Sequence, residues 1–164
     1  FDAIFASGKA HGIGMVGMRA MESLRMEKSY RMWGSDMTRD YTPFETSLDR
    51  FVRMSKPDFI GKAALEKQLA AGVPNRFITL EVHGVTDADP LGNEPLFDPA
   101  GRIVGRATSG YYGHALKKSL AIGYVKPEFA AAGSKLQIEI LGERKQATVL
   151  VDSPYDPENN ALKG

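Results

Sequence analysis

Apolar residues recur at two different periods along the chain, and the change falls near residue 75. Before it, helical spacing dominates. Phe1–Ala10 reads as one helix and Met15 to about Trp33 as a second, with Met18, Met21, Leu24 and Arg25 three or four positions apart. Gly34-Ser35-Asp36 ends that pattern. Residues 35–57 are irregular, with a turn at Thr42-Pro43 and with Leu48, Phe51 and Val52 expected in the core. Asp58 is placed to cap a short helix over 59–71. Ala64, Leu65, Gln68 and Leu69 give that helix a mostly apolar stripe, and Gly72 and Pro74 end it.

From Arg76 onward the period is two. Ile78, Leu80 and Val82 alternate with Thr79 and Glu81, and Leu136, Ile138 and Ile140 alternate with Gln137 and Glu139. Arg102–Thr108, Ser119–Val125 and Gln146–Val151 are further strand-like runs separated by Gly, Pro and Asp. About six short strands with no helix between them favour an antiparallel barrel or sandwich over a doubly wound sheet. The predicted class is α+β, with a helical front (residues 1–74) and a small, Greek-key-like antiparallel β-barrel behind it (residues 75–164).

Composition narrows the options. At 164 residues, 43% hydrophobic and 25% charged, the chain is globular, which excludes disorder and collagen-like repeats. A net charge of +1 supplies no general electrostatic footprint for nucleic acid. The absence of cysteine excludes disulfides, thiol catalysis and thiolate zinc sites. No apolar run approaches the roughly 20 residues that cross a bilayer. The chain opens at Phe1, without methionine and already inside a helical pattern, so the expectation is a piece of a longer polypeptide.

Several groups of residues have chemical potential. Gly12-Ile13-Gly14-Met15-Val16-Gly17 is a literal G-x-G-x-x-G, but a helix rather than a strand precedes it and no strand ending in an acidic residue follows. It reads as a connection between helices. His11, His83 and His114 lack metal-ligand spacing and read as surface or turn histidines. Asp36, Asp40, Glu45 and Asp49 cluster in one irregular stretch, as an acid/base pair, as a site for a cationic amine, or as caps and solvated charges. Arg25 and Arg31, placed on the long helix near Tyr30 and Trp33, suit a flat ligand with a carboxylate tail, or are helix-surface arginines beside a half-buried Trp. Thr108-Ser109-Gly110-Tyr111-Tyr112-Gly113 reads as a small-residue loop between strands, either ligand-facing or a plain turn. The residues alone lead to a chain with an unassigned site.

An ordered set of segments then resembles a known family. Ser23-Leu24-Arg25-Met26-Glu27-Lys28, Trp33-Gly34-Ser35-Asp36, Thr42-Pro43-Phe44-Glu45 and Asp58-Phe59-Ile60-Gly61-Lys62 follow the order seen in folate-dependent aminomethyltransferases. Gly105-Arg106-Ala107-Thr108-Ser109-Gly110 and Ser119-Leu120-Ala121-Ile122-Gly123-Tyr124-Val125 continue it. Within that superfamily, Glu27-Lys28-Ser29-Tyr30-Arg31, Asp87-Ala88-Asp89-Pro90-Leu91-Gly92-Asn93-Glu94-Pro95 and Ser153-Pro154-Tyr155-Asp156-Pro157 resemble the C-terminal part of sarcosine and dimethylglycine dehydrogenases. Trp33 and Met21-Glu22 depart from the glycine-cleavage T-protein pattern, which has Tyr and an Arg-Asp pair there; the Arg contacts the folate tail in that family.

The resemblance implies an enzyme in which an FAD domain, preceding Phe1, oxidises an N-methylated glycine, while the folate part passes the one-carbon unit to tetrahydrofolate. It implies that the main catalytic carboxylate also precedes Phe1, leaving no catalytic residue here. Arg25 and Trp33, and secondarily Tyr111 and Tyr112, are the expected lining or support of the folate cleft. The expected partners are folate, the amine substrate and the FAD domain, with no nucleic acid, membrane or metal. The expected compartment is the bacterial cytoplasm or the mitochondrial matrix. Two other readings are a stand-alone T-protein-like aminomethyltransferase and a non-catalytic folate-binding or assembly module.

Overall fold

The computed structural model describes residues 1–85 and 87–164. Helix α1 spans Asp2–Gly8, α2 Met18–Glu27 and α3 Lys62–Ala71. Six strands follow, β1 Arg76–Val82, β2 Pro95–Phe97, β3 Ile103–Gly113, β4 Lys118–Val125, β5 Lys135–Ile140 and β6 Glu143–Leu150, and then a terminal turn of helix, α4 Asn160–Lys163. All strand pairs are antiparallel and close a barrel in the order β1-β4-β3-β2-β5-β6. The run β1-β4-β3-β2 is a Greek key, and the β5–β6 hairpin seals it.

The barrel explains both hydrophobic patterns in the back half. Its interior is filled from alternate positions, among them Ile78, Leu80, Val82, Leu96, Val104, Leu136, Ile138 and Val149. On β5 the outer residues face water, so the strand alternates strictly, whereas β4 is buried from Ser119 through Val125. Helix α2 and the segment after it cover the outside of β4. Met26, fully buried, sits there among Phe77, Leu120, Ile122 and Tyr124, with Tyr41 stacked on Tyr124 at 3.7 Å between ring centroids. Burial of this kind contributes roughly 1.5–3 kcal/mol per large side chain. A strand covered on both faces reads as a continuous apolar run.

Four expectations need correcting. The second helix stops at Glu27, not near Trp33. Ser29 takes a left-handed φ of 55°, Ser29 N–H donates to Met26 O at 3.0 Å, and Tyr30 N–H donates to Arg25 O at 2.8 Å, which together form a Schellman cap. Arg31 therefore lies beyond the helix, with its guanidinium 4.1 Å from the Phe77 ring centroid. Asp58 does not cap α3; Gly61, with φ 93°, precedes a helix that begins at Lys62 and buries no residue, and only Leu65 and Gln68 of the expected stripe are half-buried. Phe51 is 70% exposed, not core, while Leu48 and Val52 are half-buried. Thr108–Gly113 is not a loop but the second half of β3.

The stretch from Asp89 to Gly92 crosses the outside of β3 at very close range. A Cβ on Gly110 would lie 2.5 Å from Pro90 Cγ and 2.6 Å from its carbonyl carbon, and closer still to the carbonyl oxygen. On the other side of the crossing, Gly92 has φ 129°, and a Cβ there would come within 2.6 Å of Thr108 O. Only two residues without side chains allow two backbones to meet this way. Ser119 Oγ donates to Asp89 Oδ1 at 2.5 Å and ties the crossing to β4.

Candidate functional site

The site is built where α2, the loop after it and β3 converge. Helix α2 is docked on the β3–β4 hairpin by polar side chains. Ser23 Oγ donates to Tyr112 O at 2.6 Å, and the buried Glu27 carboxylate accepts from Ala115 N at 2.7 Å and Leu116 N at 3.0 Å. Lys28 Nζ reaches the tail, donating to Asp156 O at 2.6 Å and Asn159 Oδ1 at 2.7 Å.

Asp36 is the centre of the loop. Its side chain is wholly buried, and its carboxylate accepts four hydrogen bonds: from Arg25 Nη1 at 2.7 Å, Met32 N at 2.9 Å, Thr108 Oγ1 at 2.6 Å and Ser109 Oγ at 2.8 Å. Two consecutive strand residues present hydroxyls to one carboxylate oxygen because the β3–β4 register shifts between Ala107 and Ser109. A bulge of this kind defeats the usual alternation of faces. Tyr124 OH donates to the Asp36 carbonyl at 2.6 Å, and burial pushes that phenol well above its ordinary pKa, so it stays protonated as a donor. Arg25 is fully engaged: it also pairs through Nε with Glu22, donates to Tyr30 O at 3.1 Å and, through Nη2, to Ser109 Oγ at 2.9 Å.

The other expected site residues fall in two places, Trp33 on this loop and the two tyrosines on β3 at a cavity that Trp33 does not line. Trp33 stands on the loop closed by Asp36, 70% exposed, and Tyr30 is 52% exposed. Tyr111 and Tyr112 come together with Arg19, Ser23, Asp89 and His114 around a cavity of about 480 Å³. The Tyr112 and His114 rings meet edge-to-face at 5.1 Å. From the sequence Arg19 has no role and His114 reads as a surface or turn histidine, because α2 and the β3–β4 turn are distant in sequence and meet only where α2 docks on the hairpin.

The four carboxylates of the irregular stretch do not assemble into one pair. Asp36 is tied as above, Asp40 accepts from Thr38 at 3.0 Å and Asp49 is exposed. Glu45 is buried and accepts from Thr42 N at 3.0 Å, Asn75 Nδ2 at 2.8 Å, Thr42 Oγ1 at 3.0 Å and Gln68 Nε2 at 3.3 Å. Burial alone would raise its pKa, but these donors together hold it below the ordinary glutamate value. Among the described residues no group of three or more His, Cys, Asp or Glu side chains is arranged to hold a metal ion, and no helix is long and apolar enough to cross a membrane.

Fold and site together define the class: an α+β protein in which a helix docks on a Greek-key barrel and a ligand-sized cavity lies between them. Residues 75–156 match the model of the glycine cleavage T-protein C-terminal barrel domain, and residues 1–56 match that of the GCVT N-terminal domain. The chain belongs to the glycine cleavage T-protein family. It is 40% identical over 151 residues to mitochondrial dimethylglycine dehydrogenase of Mus musculus, covering 92% of this chain and 17% of that protein. It is 32% identical over 173 residues to mitochondrial sarcosine dehydrogenase of the same organism, covering 100% of this chain and 18% of that one. The crystal structure of glycine cleavage system aminomethyltransferase T from Bartonella henselae superposes with a TM-score of 0.86 at 26% identity, over 95% of this chain and 44% of that chain. The chain thus spans less than a fifth of the length of these dehydrogenases and under half that of the aminomethyltransferase.

Proposed function

We propose that this chain is the C-terminal folate-binding part of a demethylating dehydrogenase acting on an N-methylated glycine, sarcosine or dimethylglycine. Its folate part would pass the released one-carbon unit to tetrahydrofolate. The observation that carries the reading is an uncovered apolar face in the region matching the GCVT N-terminal domain. Helix α1 buries nothing, and Phe1, Ile4, Met15, Val16, Met18 and Leu24 are each more than half exposed. Phe1, Ile4, Met15 and Val16 line one groove, an apolar surface of the kind that belongs under a partner layer, and preceding polypeptide would supply it. In this reading residues 1–74 complete a folate-binding domain begun by preceding polypeptide, and residues 75–164 form the barrel domain beside it.

The residues present suit a folate. Trp33 offers an exposed stacking surface, while Tyr111 and Tyr112 line a cavity that also holds the cation Arg19. Arg25 supports this arrangement from behind, through Asp36 and Ser109. Bound tetrahydrofolate would supply the nucleophilic acceptor for the one-carbon unit, and sheltering that transfer prevents loss of the unit to water as formaldehyde. FAD belongs to the same proposal, in a domain preceding Phe1. Reading the gene upstream of the Phe1 codon tests the reading. Several hundred in-frame codons carrying a strand-preceded G-x-G-x-x-G are expected. An extension holding only the first half of a folate domain would instead favour a stand-alone aminomethyltransferase.

A further inference from the structure

We infer that Asp36 is the positioning residue that sets Trp33 as a rigid stacking surface for a flat aromatic ligand. The choice of folate as that ligand rests on the function proposed above.

The loop from Met32 to Met37 is closed on itself and on the barrel at once. Met32 O accepts from Asp36 N and from Met37 N, both at 3.0 Å, and Gly34 N–H donates to Met37 O at 2.8 Å. Trp33 and Met37 form an isolated bridge across the loop mouth. Those bonds make a compact turn but do not orient it. Orientation comes from Asp36, whose carboxylate reaches α2 through Arg25, the start of its own loop through Met32 N, and β3 through Thr108 and Ser109. Its carbonyl reaches β4 through Tyr124.

A wholly buried carboxylate is retained at a cost unless several donors surround it. Here all four donors belong to elements that frame the site, and the one large side chain this loop projects outward is Trp33. An exposed Trp on a freely moving loop would bind a ring poorly, because the ordering must be supplied at each binding event. A Trp fixed in advance removes that penalty. Arg25 is thereby a second positioning residue, since its guanidinium joins Asp36 to Ser109 and to Tyr30 O.

Trp33 is the single tryptophan of the chain, so its fluorescence reads the loop directly. Time-resolved anisotropy of the 164-residue chain and of Asp36→Asn, Ser109→Ala and Val149→Ala separates positioning from general stability. Asp36→Asn removes the charge that Arg25 pairs with, and Ser109→Ala removes one donor to Asp36 and one acceptor from Arg25. Val149→Ala opens a void inside the barrel, where Val149 is 2% exposed, and lowers melting without touching the loop.

The expected result is a fast nanosecond component of Trp33 motion that grows in Asp36→Asn, grows less in Ser109→Ala and is unchanged in Val149→Ala, all below their melting transitions. Calorimetry with 5-formyltetrahydrofolate, on the protein encoded by the full open reading frame carrying the same substitutions, should follow the same order. Affinity is expected to drop about tenfold in Asp36→Asn as the competent loop population falls. Coincident anisotropy decays in the parent chain, Asp36→Asn and Ser109→Ala would overturn the inference, as would an equal effect in Val149→Ala. Loop motion released by Asp36→Asn while no variant binds 5-formyltetrahydrofolate would uphold the anchoring role and count against folate as the ligand.

Discussion

Replacing Gly110 by alanine places a methyl group where Pro90 already is. Contact with Pro90 Cγ at 2.5 Å and its carbonyl carbon at 2.6 Å is far inside ordinary van der Waals separation, and two of the three colliding atoms are backbone. No side-chain rotation relieves it. The crossing stretch has to lift off β3 by about an ångström, which costs about 3 kcal/mol on the scale of overpacked cores. Lifting it also pulls Asp89 away from Ser119 Oγ, a further cost of about 1 kcal/mol. A total near 4 kcal/mol corresponds to a fall of about 10 °C in Tm for a chain of this size. Gly14→Ala is the control, because a Cβ there meets nothing within 4 Å and the position needs no left-handed backbone. Differential scanning calorimetry of both variants decides the matter. Melting of Gly110→Ala within 2 °C of the parent would refute the close crossing of residues 89–92 over β3.

Three other expectations concern different parts of the structure. Glu27→Ala leaves the Ala115 and Leu116 amides without their carboxylate acceptor and should lower stability in urea by about 2–3 kcal/mol, whereas Leu162→Ala, at an exposed end, should change it by less than about 0.5 kcal/mol. Glu45, whose pKa is held below the ordinary value, contributes stability that is fully present above its unfolded pKa and is lost as pH falls through the folded one. Acid titration of Tm should therefore show a shallower low-pH decline in Glu45→Gln than in the parent chain. Val16→Glu with Met18→Glu alters side chains that are 74% and 72% exposed, so light scattering should show less self-association with no fall in Tm.

Much of the barrel is legible in the sequence because its strands either alternate between a buried and a wetted face or are buried throughout. Leu136, Ile138 and Ile140 announce β5 by alternation, and Ser119–Val125 announces β4 by continuous burial. β2 is three residues long, Pro95–Phe97, too short to show any period. The second half of β3 carries Gly110 and Gly113, and glycine reads as a turn signal when its purpose is close packing. The α2 terminus was illegible for a different reason. Its end is set by Ser29, whose hydroxyl lies 2.7 Å from Thr79 Oγ1 on a strand fifty residues away, so no local signal precedes it.

The candidate site divides the same way. Arg25 and Asp36 stand out by residue type, but their mutual bond depends on a helix ending early and a loop folding back. Thr108 and Ser109 meet Asp36 only because a bulge breaks alternation, which local pattern does not predict. His114 joins the tyrosines through the barrel hairpin, and Arg19 through the docking of α2 on it.

The function proposed for this chain is capture, on tetrahydrofolate, of a one-carbon unit released from an N-methylated glycine. The most direct measurement incubates the protein encoded by the full open reading frame with sarcosine or dimethylglycine, with and without tetrahydrofolate, and quantifies both formaldehyde and 5,10-methylenetetrahydrofolate. Tetrahydrofolate is expected to divert the released carbon from formaldehyde to the folate product. Consumption of neither amine, or release of all the carbon as formaldehyde whether or not tetrahydrofolate is present, would contradict it.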